Sequence, residues 1–428
     1  MNAGFDRIAS LADGKPVAIF GAGISGKSVE KLLEKIGLKG EIYAQDSENL
    51  FGESAAKNHS LVVYSPAFRP DNPWLETARK GGCTCLCEPD FACLAHGGRI
   101  IAITGTNGKT TITKFLTKAL NDAGIKAVAA GNVGTPLSQI CAEEGSSATA
   151  VCELSSFQTM SLEYLSPEAL LWTNFDADHL DWHKDMREYF CAKVNLVRRL
   201  KGEAFVAGSS VGWWAQKFSI PLPEFTVFFD EDKSYEAPEP FTSAMQSRNF
   251  HAVRLLWEKL GLDDRLLAKS AADFRLPQFR FACAQTVGGV NFYNDSKATN
   301  AHAAIAALRE FPADKSLVWL GGGKDKHCGL EELACEVEKH CKNAVLIGQT
   351  AQELQKMLRA KGVECHIEPD MQKAVRKCFE VAKKGDSVLF SPGFSSFGMF
   401  SGYAERGKSF DEAVLCLKNL KKDEILKA

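Results

Sequence analysis

The sequence predicts an α/β protein of three domains, each built on an open, largely parallel sheet. Three observations carry this expectation. An apolar run, a glycine turn and an amphipathic stretch follow one another from residue 15, and the same series restarts near residue 98. A second break falls at Leu276-Pro277, after which short apolar runs alternate with helical stretches. A chain of 428 residues is also too long for a single core. The domains are placed at residues 1–97, 98–276 and 277–428.

Residues 15–20 are a short apolar run leading into Gly21-Ala-Gly-Ile-Ser-Gly26. The helix that follows carries Val29, Leu32, Leu33 and Ile36 on one face and closes at Gly37. Residues 42–44 form the next strand, which runs toward Asp46. In the second domain, residues 99–104 are a strand, 105–111 a loop, and Ile112, Phe115, Leu116, Ala119 and Leu120 mark a helix. Residues 148–152 and 170–175 are further strands, and 186–200 a helix. In the third domain, strands are expected at 290–293, 316–320, 344–347 and 387–390. Residues 230–240 read as an exposed loop.

Lys and Arg total 51 against 53 Asp and Glu, a net charge of −2, which argues against a general nucleic-acid or membrane-surface binder. No apolar run reaches the roughly 18 residues of a membrane span, and residues 1–14 lack a signal peptide's apolar centre. The 14 cysteines therefore read as reduced thiols of a cytoplasmic protein. Cys83, Cys85, Cys87 and Cys93 crowd together, but C-x-C-x-C without a distant matching pair is not zinc spacing. His96 is a poor fourth ligand, and a cysteine-rich buried strand is the expectation.

Gly105-Thr-Asn-Gly-Lys-Thr-Thr111 is the strongest chemical signal. It follows a strand and opens a helix, so backbone N–H groups and the helix dipole converge on one anion site. Lys109 can reach the β- and γ-phosphates of ATP, and Thr110 or Thr111 can offer a hydroxyl to Mg²⁺. The loop is shorter than G-x-x-x-x-G-K-[ST], since Ile103 stands where that pattern has its first glycine. Gly21-x-Gly23-x-x-Gly26 with Asp46 downstream fits a dinucleotide fingerprint, NAD or another pyrophosphate ligand. The ATP loop after it favours the second.

Glu153 ends a predicted strand, where ligands of open α/β sheets gather, and His179 follows another in Asp176-Ala-Asp-His-Leu-Asp-Trp-His183. Carboxylate and imidazole beside phosphates suit Mg²⁺ better than zinc. Lys193 shares a helix face with Tyr189, Phe190 and Val197. Burial favours a neutral amine, which can react with CO₂ to give a carbamate, an anionic ligand for a second Mg²⁺. The competing expectation is a lysine that snorkels to the surface.

Together these blocks resemble the Mur ligase family of peptidoglycan synthesis, over almost the whole chain. The resemblance rests on Gly105 to Thr111, Gly131-Asn-Val-Gly134, Glu153-Leu-Ser-Ser-Phe-Gln158, Asp178-His-Leu-Asp181, Asn294-Asp-Ser-Lys-Ala-Thr-Asn300 and the stretch from Ser391-Pro392 to Arg406-Gly407. The Glu153 and Asn294 blocks are those of the D-glutamate-adding branch, and the Asp-Asn-Pro-Arg signature of diaminopimelate- or lysine-adding relatives is absent.

The resemblance implies a Rossmann-like UDP-binding domain, a central P-loop ATPase domain and a C-terminal Rossmann-like domain that closes over ATP and amino acid. It implies UDP-substrate contacts at Gly23, Ile24, Ser25, Asp46 and Asn132, the last near the sugar. ATP would meet Gly105, Thr106, Asn107, Gly108, Lys109, Thr110, Thr111, Asn249, Arg280 and Asp295. Two Mg²⁺ ions are implied, one at Thr110 and Glu153, the other at His179 and carbamylated Lys193. D-Glutamate would meet Thr299, Lys326, Ser396, Phe397 and Tyr403, with Lys324 competing with Lys326. The expected catalytic set is Lys109, Glu153, His179 and Lys193.

Some positions depart from the family pattern. Met245-Gln-Ser-Arg-Asn249 replaces the first two positions of a His-Asn-x-x-Asn block, and Pro277-Gln-Phe-Arg280 stands where Pro-His-Arg is common. Glu48 occupies a position that is Arg in some relatives, and Ala67 replaces the Gly of Ser-Pro-Gly. The implied reaction joins UDP-N-acetylmuramoyl-L-alanine to D-glutamate through an acyl phosphate, in a monomer. A folylpolyglutamate synthetase-like ligase has the same fold but lacks the Glu153 and Asn294 blocks. An NAD-dependent dehydrogenase would leave Lys109, Glu153 and Lys193 unexplained, and a non-catalytic nucleotide-binding regulator would not need the acidic ligands.

Overall fold

The computed structural model describes residues 3–45, 50–143, 147–324 and 330–419. The first sheet has four parallel strands, β1 (Val17–Phe20), β2 (Gly40–Tyr43), β3 (Leu61–Tyr64) and β4 (Thr84–Cys87), in the order β2-β1-β3-β4. The second has six parallel strands: β5 (Ile100–Thr104), β6 (Ala127–Gly131), β7 (Thr149–Glu153), β8 (Ala169–Trp172), β9 (Ala204–Gly208) and β10 (Val227–Phe229). Their order is β10-β9-β8-β5-β7-β6. Strands β5, β7, β8 and β9 are buried throughout, as the continuous apolar runs predict for parallel strands covered on both faces.

The third sheet contains β11 (Ala282–Val287), β12 (Val290–Asn294), β13 (Leu317–Gly321), β14 (Cys341–Leu346), β15 (Glu364–Ile367) and β16 (Ser387–Phe390), ordered β11-β12-β16-β13-β14-β15. Alternate residues feed two cores. Leu317, Trp319, Ala344, Leu346 and Leu389 face one side, while Val318, Leu320, Val345, Val388 and Phe390 face the other. The sheet is parallel except for the β11–β12 hairpin, which the apolar pattern did not announce. Its turn is Gly288-Gly289, both with positive φ (58° and 83°), the geometry a two-residue hairpin turn needs.

The chain divides into two compact units. One comprises residues 1–175, 187–242 and 246–274; the other comprises 176–186, 243–245 and 275–428. The expected boundary at 97/98 does separate two sheets, but helices join them into one body. The helices Ile24–Lys35 and Glu88–Ala95 both pack against the helix Leu137–Glu143. Buried Glu88 accepts from the backbone N–H (2.8 Å) and hydroxyl (2.6 Å) of Ser138. Asp90, also fully buried, accepts the backbone N–H groups of Glu163, Tyr164 and Leu165 at 2.6–2.8 Å. Segments 176–186 and 243–245 group with residues 275–428, the unit that holds the third sheet.

Of the clustered cysteines, half-buried Cys85 and buried Cys87 lie on β4, buried Cys83 just before it, and Cys93 on the helix Glu88–Ala95. Among the described residues no three His, Cys, Asp or Glu side chains gather as a metal cluster. No helix among them is long and apolar enough to cross a membrane. Residues 230–240 are irregular, as expected, although Tyr235 anchors them through its stacked contact with His251.

Asp90 makes a quantitative prediction. Asp90→Ala removes the acceptor of three N–H groups, that of Leu165 buried, and should cost about 3 kcal/mol in denaturant unfolding. The amides of Glu163, Tyr164 and Leu165 should exchange faster with solvent, while Asp90→Asn, which keeps one acceptor oxygen, should lose less. Unchanged stability and unchanged exchange in the Ala variant would contradict this account.

Candidate active site

In the first sheet the strand order changes direction at β1 and β3, and the glycine turn Gly21 to Gly26 lies at the carboxyl end of β1, at that switch point. Gly26 is required by close approach: a Cβ there would lie 1.8 Å from the carbonyl oxygen of Gly21. Gly23 caps the helix Ile24–Lys35, and Ile24 is exposed. The expected UDP contacts Gly23, Ile24 and Ser25 therefore sit at a helix N-terminus that is open to a ligand's phosphates. Asp46 and Glu48 lie outside the described residues.

The second sheet switches direction between β5 and β8. The loop 105–108 leaves β5 there and enters the helix Lys109–Asp122. Gly105 has φ 141°, and a Cβ on it would fall 1.8 Å from the hydroxyl of Thr173, so only glycine fits. The ammonium of Lys109 donates to the carbonyls of Gly105 and Thr106, both at 2.9 Å.

Glu153 ends β7, which pairs with β5 through Ile103↔Glu153, so its carboxylate emerges beside the loop as expected. It is 2% exposed and receives two hydrogen bonds. The Thr110 hydroxyl donates to Oε2 (2.8 Å), and the Asn132 amide donates to Oε1 (3.1 Å). Asn132, expected near a sugar, thus has its side chain on the carboxylate, and its backbone N–H also bonds the Glu153 carbonyl (2.8 Å). Hydroxyl and carboxylate oxygens side by side form the hard donor set that Mg²⁺ takes when phosphates complete its shell. Thr111 is buried one residue along the same helix.

Lys193, on the helix Met186–Arg198, is 1% exposed, which rules out the snorkelling alternative. Its ammonium donates to the Gly105 carbonyl (3.0 Å) and the Thr104 hydroxyl (3.3 Å), and lies 5.0 Å from the centre of the Tyr189 ring. Asn249 also reaches the loop: its Oδ1 would be 2.6 Å from a Cβ on Gly108. Its amide donates to buried Gln246 (3.0 Å), a residue of the block that departs from the family pattern.

The remaining expected residues belong to the second unit. His179 has φ 57°, and its ring Nε2 lies 3.5 Å from Asp178, which accepts from Asn300 at 2.9 Å. Asp295 follows β12, accepts from the Ser391 hydroxyl (2.8 Å) and the Phe281 N–H (3.2 Å), and faces the charges of Arg280 and Arg406. Burial outweighs these partners and pushes its carboxyl up to about 7.

Thr299 precedes the helix Ala301–Leu308, capped by Asn300. Ser396 is buried, Phe397 is exposed, and Tyr403 carries the Lys297 ammonium 4.0 Å over its ring. Lys324 pairs through its backbone with Ser395, next to Ser396, whereas Lys326 lies outside the described residues.

Two polar side chains were given no role in the sequence reading. Arg406 is buried and ties the loop after β12 to the loop after β16. It donates to the Ser296 hydroxyl (3.1 Å), the Ser296 carbonyl (2.8 Å) and the Phe394 carbonyl (2.9 Å). Its sequence signal was its place in the block that ends at Arg406-Gly407; a Cβ on Gly407 would lie 2.5 Å from the Phe279 ring. The other is Asn174, bonded to the phosphate loop, one residue beyond Thr173.

Known proteins resemble this chain over most of its length. Residues 103–243 match the Mur ligase middle domain, and 279–394 the Mur ligase glutamate ligase domain. A UDP-N-acetylmuramoylalanine–D-glutamate ligase of Aquifex aeolicus is 32% identical over 92% of this chain and 97% of its own length. One of Leuconostoc mesenteroides is 29% identical over 92% and 96%. Among solved structures, a UDP-N-acetylmuramate–alanine ligase of Thermotoga maritima superposes with a TM-score of 0.60 at 18% identity, covering 94% of this chain and 99% of that one. A MurF ligase of Thermotoga maritima, in complex with ADP, gives 0.57 at 17% identity over 83% and 95%.

The position of Asp295 predicts a pH effect. Its folded pKa of about 7 lies above the usual carboxylate value, so its contribution to stability is full at acid pH and is lost as pH rises through about 7. Asp295→Asn, which cannot ionise, should therefore gain stability relative to the parent between pH 5 and pH 8 (on the order of 1 kcal/mol or more), measured by unfolding at both values. A difference that is the same at both values would remove the buried-carboxyl account.

Proposed function

The chain belongs to the Mur ligase family, and we propose that it joins D-glutamate to UDP-N-acetylmuramoyl-L-alanine at the expense of ATP, in cytoplasmic synthesis of peptidoglycan precursor. The observation that carries the ATP chemistry is the contact of the Thr110 hydroxyl with buried Glu153 at the opening of the phosphate loop. The substrates follow the relatives, which are named for this reaction and match over nearly their whole length. The free cysteines among the described residues fit a reducing cytoplasm.

In this mechanism the amides at the start of the helix Lys109–Asp122 hold ATP phosphates, and Lys109 turns from its loop carbonyls to the β- and γ-phosphates. The terminal carboxylate of UDP-N-acetylmuramoyl-L-alanine attacks the γ-phosphorus, ADP leaves, and an acyl phosphate forms. The neutral amine of D-glutamate then attacks the acyl carbon, and the tetrahedral adduct expels phosphate. Thr110 and Glu153 would hold one Mg²⁺, and His179 with a carbamate on Lys193 the other. Such ions, when bound, neutralise charge on the transferring phosphoryl group. The N–H of a carbamate would still donate to the Gly105 carbonyl that Lys193 now meets.

Ile24, Ser25 and the Gly21 turn are assigned to UDP, and Arg280 and Asp295 to the nucleotide. Thr299, Ser396, Phe397 and Tyr403 are assigned to D-glutamate, with Lys324 or Lys326. The direct test is phosphate release from ATP with UDP-N-acetylmuramoyl-L-alanine and each candidate amino acid in turn. Release that requires D-glutamate supports the assignment; release with another amino acid and none with D-glutamate would reverse it.

Lys109→Ala should lower turnover at least about a hundredfold, while calorimetric binding of the UDP substrate stays within a few-fold of the parent. Near-normal turnover would remove the role given to Lys109. For Lys193, the Ala variant should lose activity and regain part of it at high concentrations of a small carboxylate, which can occupy the place of the carbamate. Failure of every small carboxylate to restore activity, together with an unmodified mass at Lys193 in the parent, would reject carbamylation.

A further inference from the structure

We propose that Thr173 and Asn174 are positioning residues for ATP, acting by fixing the direction of one peptide plane in the phosphate loop. The inference rests on the ATP-binding role assigned above to residues 105–111.

Strands β5 and β8 are neighbours with Thr104 opposite Trp172, and the two chains stay together beyond the sheet. The Thr173 N–H donates to the Thr104 carbonyl (2.9 Å), and the Thr106 N–H lies 3.1 Å from both the carbonyl and the side-chain oxygen of Asn174. That side-chain oxygen also accepts from the Asn107 N–H (2.8 Å). The Asn107 carbonyl then receives two donors, the Thr173 hydroxyl (2.6 Å) and the Asn174 amide (3.2 Å). One dipeptide thus engages two consecutive N–H groups and the carbonyl of the loop's first half.

The carbonyl matters most. A trans peptide is planar, so the Asn107 C=O and the Gly108 N–H point in opposite directions. Gly108 has φ 85°, a conformation from which glycine can leave readily because it carries no Cβ. Two donors on the Asn107 carbonyl hold that plane, and so keep the Gly108 N–H on the side away from Thr173 and Asn174. A reversed plane would present a carbonyl oxygen to the phosphates in place of a donor. The glycine at 105 has the same origin, since a side chain there would displace the Thr173 hydroxyl. Thr173 is 2% exposed and touches the loop from beneath, so it acts through the loop's geometry.

The test is calorimetric titration of Mg-ATP and of UDP-N-acetylmuramoyl-L-alanine into the parent, Thr173→Val, Thr173→Ser and Asn174→Ala, with KM for each substrate. Thr173→Val keeps the shape and loses the hydroxyl. It should weaken ATP about tenfold, the worth of one well-made hydrogen bond, and raise KM for ATP in step. Affinity and KM for the UDP substrate should stay within twofold. Thr173→Ser should recover most of the lost ATP affinity, and Asn174→Ala, at a half-buried position, should weaken ATP at least as much as Thr173→Val.

Unchanged ATP affinity in both Thr173→Val and Asn174→Ala would overturn the inference. So would an equal loss for ATP and UDP substrate, which would mark a merely structural role. A parent protein that binds no ATP would instead overturn the ATP reading itself, and this inference with it.

Discussion

A backbone that is to hold an anion must aim its N–H groups at one point while its own carbonyls face elsewhere, and much of the second sheet is arranged around this demand. Strand β5 lies between β8 and β7, and each neighbour sends polar groups to the loop or to the helix it opens. From β8 come Thr173 and Asn174, which occupy the loop's inner face. From β7 comes Glu153, whose carboxylate meets Thr110 at the start of the helix. From below comes Lys193, on the carbonyl of Gly105. The carbonyls of residues 105 and 106 are also met by Lys109, so the loop's acceptors are satisfied by cations, hydroxyls and an amide. What remains is a surface of donors at a helix N-terminus, suited to phosphate.

The features legible in the sequence were those encoded locally. The loop 105–111, the Gly21 turn and strands β5, β7, β8, β13 and β16 all announce themselves as apolar runs with glycine punctuation, because strands covered on both faces need no alternation. The short edge elements did not. Strand β15, Glu-Cys-His-Ile, is exposed at both ends, and β10 is three residues long, so neither carries a periodic signal. Strand β11 is six residues long but mostly exposed, so it too lacks an apolar signal, though its Gly-Gly turn was a usable cue.

Long-range pairing was the part that sequence pattern could not supply. Segment 176–186 looks like the continuation of β8, yet it belongs with the third sheet, where Asp178 accepts from Asn300 across 122 residues. Likewise, nothing local says that Asn132 will bond Glu153, or that Asn174 will bond a loop 67 residues earlier. Lys193 shows the limit most clearly. Its helix face is apolar either way, and whether the ammonium snorkels or stays inside depends on acceptors at the far end of its stem. Gly105 and Thr104 provide them, and the side chain is enclosed.

The same logic explains why buried charge gathers at the carboxyl ends of the strands. In the third sheet, the ends of β12 and β16 hold Asp295 and Ser391, with Arg406 close by, while the faces of the sheet are apolar. Burial pushes the Asp295 carboxyl up to about 7 and the Arg406 guanidinium down to about 10, so both groups are held in surroundings that disfavour their charge. A fold selected only for stability would place apolar side chains of similar volume there. Arg406 instead uses its fork to fix the loops that carry Ser296 and Phe394, close in sequence to the residues assigned to D-glutamate. A charge held at such cost is the mark of a region in which loop geometry takes precedence over stability.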